Sequence, residues 1–106
     1  AIRDKPIFNE NDISHCLYLI KEGEVEIKYE NNVIETLGPG NYFGLLSILN
    51  KSNRICEATP KLGNQCKIYY ISVPFLKNLC GENYISEILT EKILCLINQI
   101  FQLIMN

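Results

Sequence analysis

A glycine at the start of a short apolar stretch and an arginine beyond the next loop are the residues most suited to chemistry. Gly44 opens the apolar residues 45–49, and Arg54 follows a polar loop. The first N–H groups of a short helix can face an anion, and a downstream arginine can meet the same anion. This spacing predicts a phosphate-binding turn. Leu45 follows the glycine, and its side chain accepts no hydrogen bond, so it offers a ligand no polar contact.

The length and composition are those of one small globular domain. The chain has 106 residues, of which 47% are hydrophobic and 21% are charged, enough for a single core and too apolar for a disordered segment. The net charge is −2, from 10 basic and 12 acidic residues, with no basic run. This balance argues against nucleic acid or an anionic membrane as a partner. A bound phosphate would therefore depend on a local arrangement of donors.

Cysteine and histidine usage argues against disulfides, metal sites and catalysis. The five cysteines are widely spaced and form no Cys-x-x-Cys pair, which favours free thiols in a reducing cytosol. The one histidine, His15, cannot supply the His-rich metal cluster of a cupin-type jelly-roll enzyme. On its polar turn we expect it to be solvated, and it offers no base to activate Cys16. We expect no metal and no catalysis from this domain.

The two ends of the sequence indicate where the protein is located in the cell and whether it belongs to a longer chain. No apolar signal segment is visible at the start, and the most apolar run, residues 93–105, is short for a bilayer and contains polar residues. We therefore expect a cytoplasmic protein without a membrane-spanning segment. The chain starts abruptly beside a predicted strand, so we expect a piece of a longer protein.

The first two-thirds of the chain read as short strands and turns. Residues 16–20 are apolar on both faces, whereas residues 24–29 alternate, with Val25, Ile27 and Tyr29 expected to face inward. Gly23 suits a turn with positive φ, and Asn31-Asn32 suits a two-residue hairpin turn. Further strands are predicted at residues 33–37, 54–59 and 66–71. Many short strands indicate a mainly β fold of the α+β class, an antiparallel barrel or jelly roll over residues 1–71.

The last third, residues 72–106, has the period of helices. Ser72 can cap a first helix that ends near Gly81. A second helix, about residues 85–104, would be roughly 30 Å long, and we expect its start to face the barrel and its far end to contact another domain. Its apolar stripe comprises Ile85, Ile88, Leu89, Leu96, Ile97, Ile100, Phe101 and Ile104.

The order of these elements resembles the cyclic-nucleotide-binding domain of cAMP- and cGMP-dependent protein kinases, CAP-like regulators and nucleotide-gated channels. Residues 17–27 resemble the family's second and third strands, and Leu-Gly-Pro-Gly-Asn-Tyr-Phe-Gly at residues 37–44 resembles the approach to its phosphate-binding cassette. The resemblance covers nearly the whole chain. It implies that Gly44 and the backbone of the turn hold a cyclic phosphate, which Arg54 neutralises. The candidate site residues are Phe43, Gly44, Leu45, Leu46, Ser47, Arg54, Ile55 and Cys56.

The chain departs from the family cassette in three respects, which involve four positions. Leu45 replaces the glutamate that accepts a bond from the ribose 2′-hydroxyl, and Ile55 and Cys56 replace the small or hydroxyl-bearing residues after the arginine. Ser47 replaces an alanine, which we expect to be a mild change. For Arg54 itself we favour a solvated side chain, or one paired with Glu57, over a phosphate ligand. We expect Leu45 and Leu46 to fill the vacated pocket with apolar side chains.

Three functional hypotheses follow. The first is a non-catalytic regulatory domain that resembles a degenerate copy from the cGMP-dependent protein kinase of a protozoan parasite. It would bind no cofactor, or cGMP or cAMP weakly, and would couple neighbouring cyclic-nucleotide-binding domains and a kinase domain of the same chain through its C-terminal helices. The alternative is a working cGMP or cAMP sensor that binds the phosphate through the Gly44 turn and Arg54. A metal-dependent enzyme is the third and weakest hypothesis.

Overall fold

Two three-stranded antiparallel sheets form the body of the protein. The computed structural model describes residues 6–63, 65–80 and 87–105. The sheets have the strand orders β4-β1-β6 and β3-β2-β5, as expected for a jelly-roll barrel. The elements are β1 Cys16–Glu22, β2 Val25–Tyr29, β3 Asn32–Leu37, β4 Tyr42–Phe43, α1 Leu45–Leu49, β5 Glu57–Pro60, β6 Lys67–Ser72, α2 Val73–Cys80 and α3 Glu87–Met105.

Strand β1 is central because both of its faces are covered. Leu17 and Leu19 are fully buried on the face that meets the helices. Ile20 is fully buried on the other face, between the two sheets, together with Val25 of β2 and Phe43 of β4. The apolar run on both faces of this strand was predicted from the sequence and is confirmed. It makes β1 the wall between two cores.

The β2–β3 hairpin differs from the sequence prediction in its register. The turn residues with positive φ are Glu30 and Asn31, not Asn31 and Asn32, and Tyr29 pairs with Asn32. The register shifts between the pairs Ile27–Glu35 and Lys28–Val33, so Ile34 of β3 is the extra residue of a β-bulge. The prediction that Tyr29 faces inward is wrong: it is the last residue of β2, beside the turn, and is 45% exposed.

The two helices described after β6 cover the outer face of the first sheet. The hydroxyl oxygen of Ser72 accepts a hydrogen bond of 3.3 Å from the N–H of Phe75, which confirms the predicted cap of α2. In α3, Ile97 and Phe101 are buried against β1, and Ile104 packs beside them. The far part of this helix, predicted to contact another domain, therefore contacts the barrel. The predicted helix end at Gly81 and the stripe residues Ile85, Ile88 and Leu89 lie outside the residues whose side chains are described.

Candidate functional site

The Gly44 turn joins β4 to α1 and requires glycine. Gly44 has φ +89°, a left-handed conformation that side-chain-bearing residues rarely adopt. A Cβ atom at this position would lie 2.8 Å from Nη1 of Arg54 and 3.2 Å from the carbonyl oxygen of Cys16. The turn is therefore shaped by the arginine that lies against it, and the predicted partnership of Gly44 and Arg54 is present in the structure.

The side chain of Arg54 is buried and bonded to the protein itself. Only 3% of the residue is exposed. Its Nη1 donates to the carbonyl oxygen of Gly44 and, at 2.8 Å, to Oγ of Ser47, while its Nη2 donates to the carbonyl oxygen of Cys16. The prediction that Arg54 is solvated or paired with Glu57 is wrong. Backbone carbonyls and one hydroxyl take the place of a carboxylate, because the turn brings them around the guanidinium.

The backbone of Arg54 is fixed by a segment before β1. Its N–H donates to the carbonyl oxygen of Asp12 at 2.7 Å, and its own carbonyl oxygen accepts from the N–H of Asn11 at 2.7 Å. The strand predicted for residues 54–59 is shorter, since β5 begins at Glu57. Residues 54–56 therefore form a connection that delivers the arginine to the Gly44 turn.

An aromatic cluster lies beneath the guanidinium. The ring centroids of Tyr18 and Phe43 are 5.1 Å apart in a stacked arrangement, and Phe8 lies 5.8 Å from Tyr18. The Cζ atom of Arg54 lies 4.3 Å from the centroid of Phe8, which is a cation–π contact. Burial lowers the pKa of Arg54, and this effect is opposed by Tyr18, Cys16 and Asp12 nearby. An arginine remains protonated under such conditions, so the site holds a permanent buried charge.

One donor of the guanidinium remains unused. The Nε atom of Arg54 is buried and has no hydrogen-bond partner among the described residues. A buried donor without a partner is costly, typically about 1–3 kcal/mol. Arg54 therefore carries one cationic donor that no described residue uses.

Hydroxyl groups extend the contacts of Arg54 into the following loop. The Oγ atoms of Ser47 and Ser14 are 2.9 Å apart, and Oγ of Ser14 lies 2.8 Å from the carbonyl oxygen of Ser52. Each hydroxyl has one proton. A consistent arrangement has Arg54 donating to Ser47, Ser47 to Ser14, and Ser14 to the carbonyl of Ser52. Ser47 is thus a structural partner of the arginine, and its replacement of alanine is not a neutral change.

Ser47→Ala is expected to lower the free energy of unfolding by about 1–2 kcal/mol, because it removes an acceptor from a buried charged donor. Urea denaturation measures the effect. The matched control is Ser52→Ala, since the Ser52 hydroxyl is buried without a partner and its removal should change stability little. Equal losses in both variants would contradict the bond between Arg54 and Ser47.

An open cavity lies beside the Gly44 turn. Its volume is about 450 Å³, and it lies between the two sheets, with most of its wall area apolar. All eight candidate site residues line it; the other lining residues are Phe8, Ile27, Ile34, Glu35, Leu37 and Tyr42. The structure thus brings the predicted residues together around one space large enough for a small ligand.

The predicted apolar plug is absent from this cavity. Leu45 is only 7% exposed and packs in the helix-side core with Ile97 and Phe101, so most of its side chain points away from the space. Leu46 is 66% exposed and Ile55 is 55% exposed, so neither is packed across the opening. The expectation that Leu45 and Leu46 fill the pocket is wrong, because the first turn of α1 directs one leucine into the core and the other outward.

Several residues that hold the site were not predicted. Phe8, Ser14, Cys16 and Tyr18 contact Arg54 or its partners, although they lie far from it in sequence. Cys16 contributes its backbone carbonyl, which leaves no signal in side-chain chemistry. The alternation of β1 does place Tyr18 opposite Leu17 and Leu19, and an aromatic residue on that face was the one available sign.

Two further features of the described residues concern other classes of site. Within residues 6–63, 65–80 and 87–105, no group of three or more His, Cys, Asp or Glu side chains is arranged to hold a metal ion. No helix in the same part of the chain is long and apolar enough to cross a membrane.

Known proteins resemble this chain over most of its length. The sequence of residues 3–83 matches the model of the cyclic nucleotide-binding domain. A cAMP-dependent protein kinase regulatory subunit of Schizosaccharomyces pombe is 32% identical over 76 residues, which are 71% of this chain and 18% of the relative. The cyclic AMP receptor protein of Thermus thermophilus is 34% identical over 59 residues, 51% of this chain and 27% of the relative. The chain thus spans less than a third of either curated relative.

Solved structures agree on the fold. The cAMP-bound structure of PfPKA-R has a TM-score of 0.68 at 23% identity, covering 97% of this chain and 33% of that one. The regulatory domain of Toxoplasma gondii PKA with cAMP has a TM-score of 0.66 at 21% identity, covering 84% of this chain and 35% of that one. The two curated relatives named above are a kinase regulatory subunit and a receptor protein. From its sequence and its fold, the chain belongs to the cyclic nucleotide-binding domain family.

Proposed function

We propose that the chain is a regulatory domain that binds cyclic nucleotides weakly and acts by coupling its cavity to its C-terminal helices. The open cavity beside the Gly44 turn carries this proposal. It has room for a nucleotide-sized ligand, and Arg54 supplies a cation at its edge. The relatives named above are titled as cAMP-dependent or cAMP-receptor proteins, which supports cyclic nucleotides as the ligand class.

Two contacts limit the affinity. Leu45 stands where the family has the acceptor for the ribose hydroxyl, and losing a bond to a charged acceptor costs roughly 1.5–3 kcal/mol, about tenfold to a hundredfold in affinity. The Nη atoms of Arg54 are already bonded to Gly44, Ser47 and Cys16. A phosphate would have to compete with these internal acceptors, so part of its binding energy is offset.

Leu45 offers a physical route from the cavity to the helices. It lines the cavity and also belongs to the core cluster that holds Ile97 and Phe101 of α3. A ligand that displaces the first turn of α1 would therefore change how α3 packs against the barrel. Such coupling needs the two positions of α3 to differ in ligand affinity. The neighbouring domains and the kinase that would receive the movement are part of this proposal.

The parent protein is proposed as a kinase regulator. A cGMP-dependent kinase remains the prediction from the sequence resemblance, whereas the kinase relatives reported above are regulatory subunits of cAMP-dependent enzymes. The degeneracy of the site likewise remains a prediction from the sequence resemblance. A tight cyclic-nucleotide sensor is the second candidate function, and the unpartnered Nε of Arg54 together with the unfilled cavity favours it.

Isothermal calorimetry with cGMP and cAMP up to millimolar concentration tests the function. We expect saturable binding with a Kd above about 100 µM, following from the lost acceptor and the engaged arginine. The non-cyclic 5′-nucleotides serve as controls and should bind less. A submicromolar Kd would establish the tight sensor instead, and no binding at millimolar concentration would contradict the weak-binding proposal.

Leu45→Glu alone is not expected to create a tight site. Its side chain would have to leave the helix-side core, and the lost burial costs about 2 kcal/mol, which opposes any gain from a new acceptor. We expect a Kd still above about 10 µM by calorimetry, and a lower unfolding midpoint. Leu46→Glu, at an exposed neighbouring position, is the control for added charge. Micromolar or better cGMP affinity in Leu45→Glu would contradict the placement of Leu45 in the core.

A further inference from the structure

One carboxylate faces the cavity from the sheet opposite the Gly44 turn. Glu35 lies on β3 directly across from Ile27 of β2, and cross-strand partners point to the same side of a sheet. Ile27 packs into the core between the sheets, and both residues line the cavity. Glu35 therefore occupies an inward position at which the strand pattern would place an apolar residue.

The Glu35 carboxylate is free to meet a ligand. The two ion pairs of the described residues, Lys28 with Glu26 and Lys61 with Glu24, do not involve it, and no hydrogen bond in the same part of the chain does. Glu35 is exposed and lines the cavity. The other charged residue that lines the cavity is Arg54, whose Nη atoms are bonded to the Gly44 turn, Ser47 and Cys16. On the β3 side of the cavity, the Glu35 carboxylate is thus an acceptor that no donor of the described residues occupies.

We propose that Glu35 is a specificity-determining residue that favours a guanine base over an adenine base in this cavity. The inference rests on the weak cyclic-nucleotide binding proposed above. An ionised carboxylate only accepts hydrogen bonds, through two oxygens. Guanine offers two adjacent donors on one edge, its ring N1–H and its exocyclic amino group, which match both oxygens. Adenine offers one amino group beside a ring nitrogen that is itself an acceptor, so one carboxylate oxygen faces a lone pair.

Of the parts of a cyclic nucleotide, the base is the one that would lie next to Glu35. The Gly44 turn and Arg54 follow β4 and precede β5, at the end of the cavity assigned to the phosphate. The ribose of a cyclic nucleotide is fused to the phosphate ring and must stay at that end. Glu35 projects from the other sheet, so the base is the part of the ligand that extends toward it. Apolar Ile34 and Leu37 beside Glu35 would cover the faces of the base.

The test compares cGMP with cAMP in the wild-type chain and in Glu35→Gln, using NMR titration of backbone amides to detect millimolar affinities. We expect the wild-type chain to bind cGMP about tenfold more tightly than cAMP, the discrimination typical of a paired base contact. In Glu35→Gln the side-chain amide has one donor and one acceptor, which match the amino group and ring nitrogen of adenine and equally the N1–H and O6 of guanine, so the preference for cGMP should fall to a ratio near one. Removing the negative charge raises the affinity for both anionic ligands equally. The quantity to compare is therefore the ratio of the dissociation constants of cGMP and cAMP.

Glu26→Gln is the matched control. Glu26 is the neighbouring carboxylate on β2, directed to the outer face beside Lys28 and opposite Thr36. It makes the same change in net charge without entering the cavity, and its cGMP-to-cAMP ratio should equal that of the wild-type chain. A shift of the ratio in this control would show that long-range charge, not a base contact, sets the preference, and would overturn the inference.

The outcomes separate this inference from the function on which it rests. Binding of both nucleotides with a ratio near one, unchanged in Glu35→Gln, would overturn the role of Glu35 and leave weak binding intact. A large loss for 2′-deoxy-cGMP that disappears in Glu35→Gln would instead assign Glu35 to the ribose, and would also overturn it. No amide shift with either nucleotide in any variant would contradict both the weak-binding function and the inference.

Discussion

Arg54→Ala is expected to lower the free energy of unfolding by about 3–5 kcal/mol, the largest effect of any single substitution considered for this chain. The substitution leaves three acceptors without their donor: the part-buried carbonyl oxygens of Gly44 and Cys16 and the buried hydroxyl of Ser47. It also removes the cation that lies over Phe8 and leaves an unfilled space beneath the turn. Urea denaturation followed by circular dichroism measures the loss.

Lys61→Ala is the control for removing a cation. Lys61 is exposed and its side chain pairs with Glu24 at 3.6 Å, so the expected change is below about 1 kcal/mol. If Arg54→Ala cost no more than this control, the buried contacts of the guanidinium would be contradicted. Arg54 would then be a solvated side chain, available to a phosphate without competition from the protein.

Gly44→Ala is expected to lower the free energy of unfolding by about 2–4 kcal/mol. The backbone strain of a left-handed residue with a side chain contributes about 1–2 kcal/mol. The new Cβ atom adds a clash, since it would lie 2.8 Å from Nη1 of Arg54 and 3.2 Å from the Cys16 carbonyl oxygen. Thermal and urea denaturation both report the change, and amide shifts of residues around the turn show whether Arg54 has moved.

Gly40→Ala separates these two contributions. Gly40 also has φ +89°, but nothing lies within 4 Å of a Cβ atom built there. It should show the conformational cost alone, so the difference between the two variants measures the close approach of Arg54 to the turn. Equal losses would mean that the arginine adapts freely, and the tight fit of the turn around it would be refuted.

Much of the fold could be predicted from local patterns. The two apolar faces of β1, the positive φ of Gly23 and the cap at Ser72 depend on residues close together in sequence, and each is confirmed. The hairpin turn was displaced by one residue, because Ile34 of β3 is an extra residue that shifts the register after Ile27. The inward direction of Tyr29 was also wrong, since this last residue of β2 lies beside the turn and is 45% exposed. A bulge depends on the strands on both sides, so one strand's alternation does not reveal it.

The sequence by itself determined the family, the strand-rich order and the pairing of Gly44 with Arg54, because these depend on residue type and spacing. Only the tertiary structure decided the surroundings of the side chains at the site. Burial of Arg54 depends on Cys16, 38 positions away in the chain, and on Phe8 before β1. The core position of Leu45 depends on α3, and the inward position of Glu35 on its pairing with β2. Such contacts join residues distant in sequence, and only the folded chain brings their charges, donors and apolar surfaces within reach of one another.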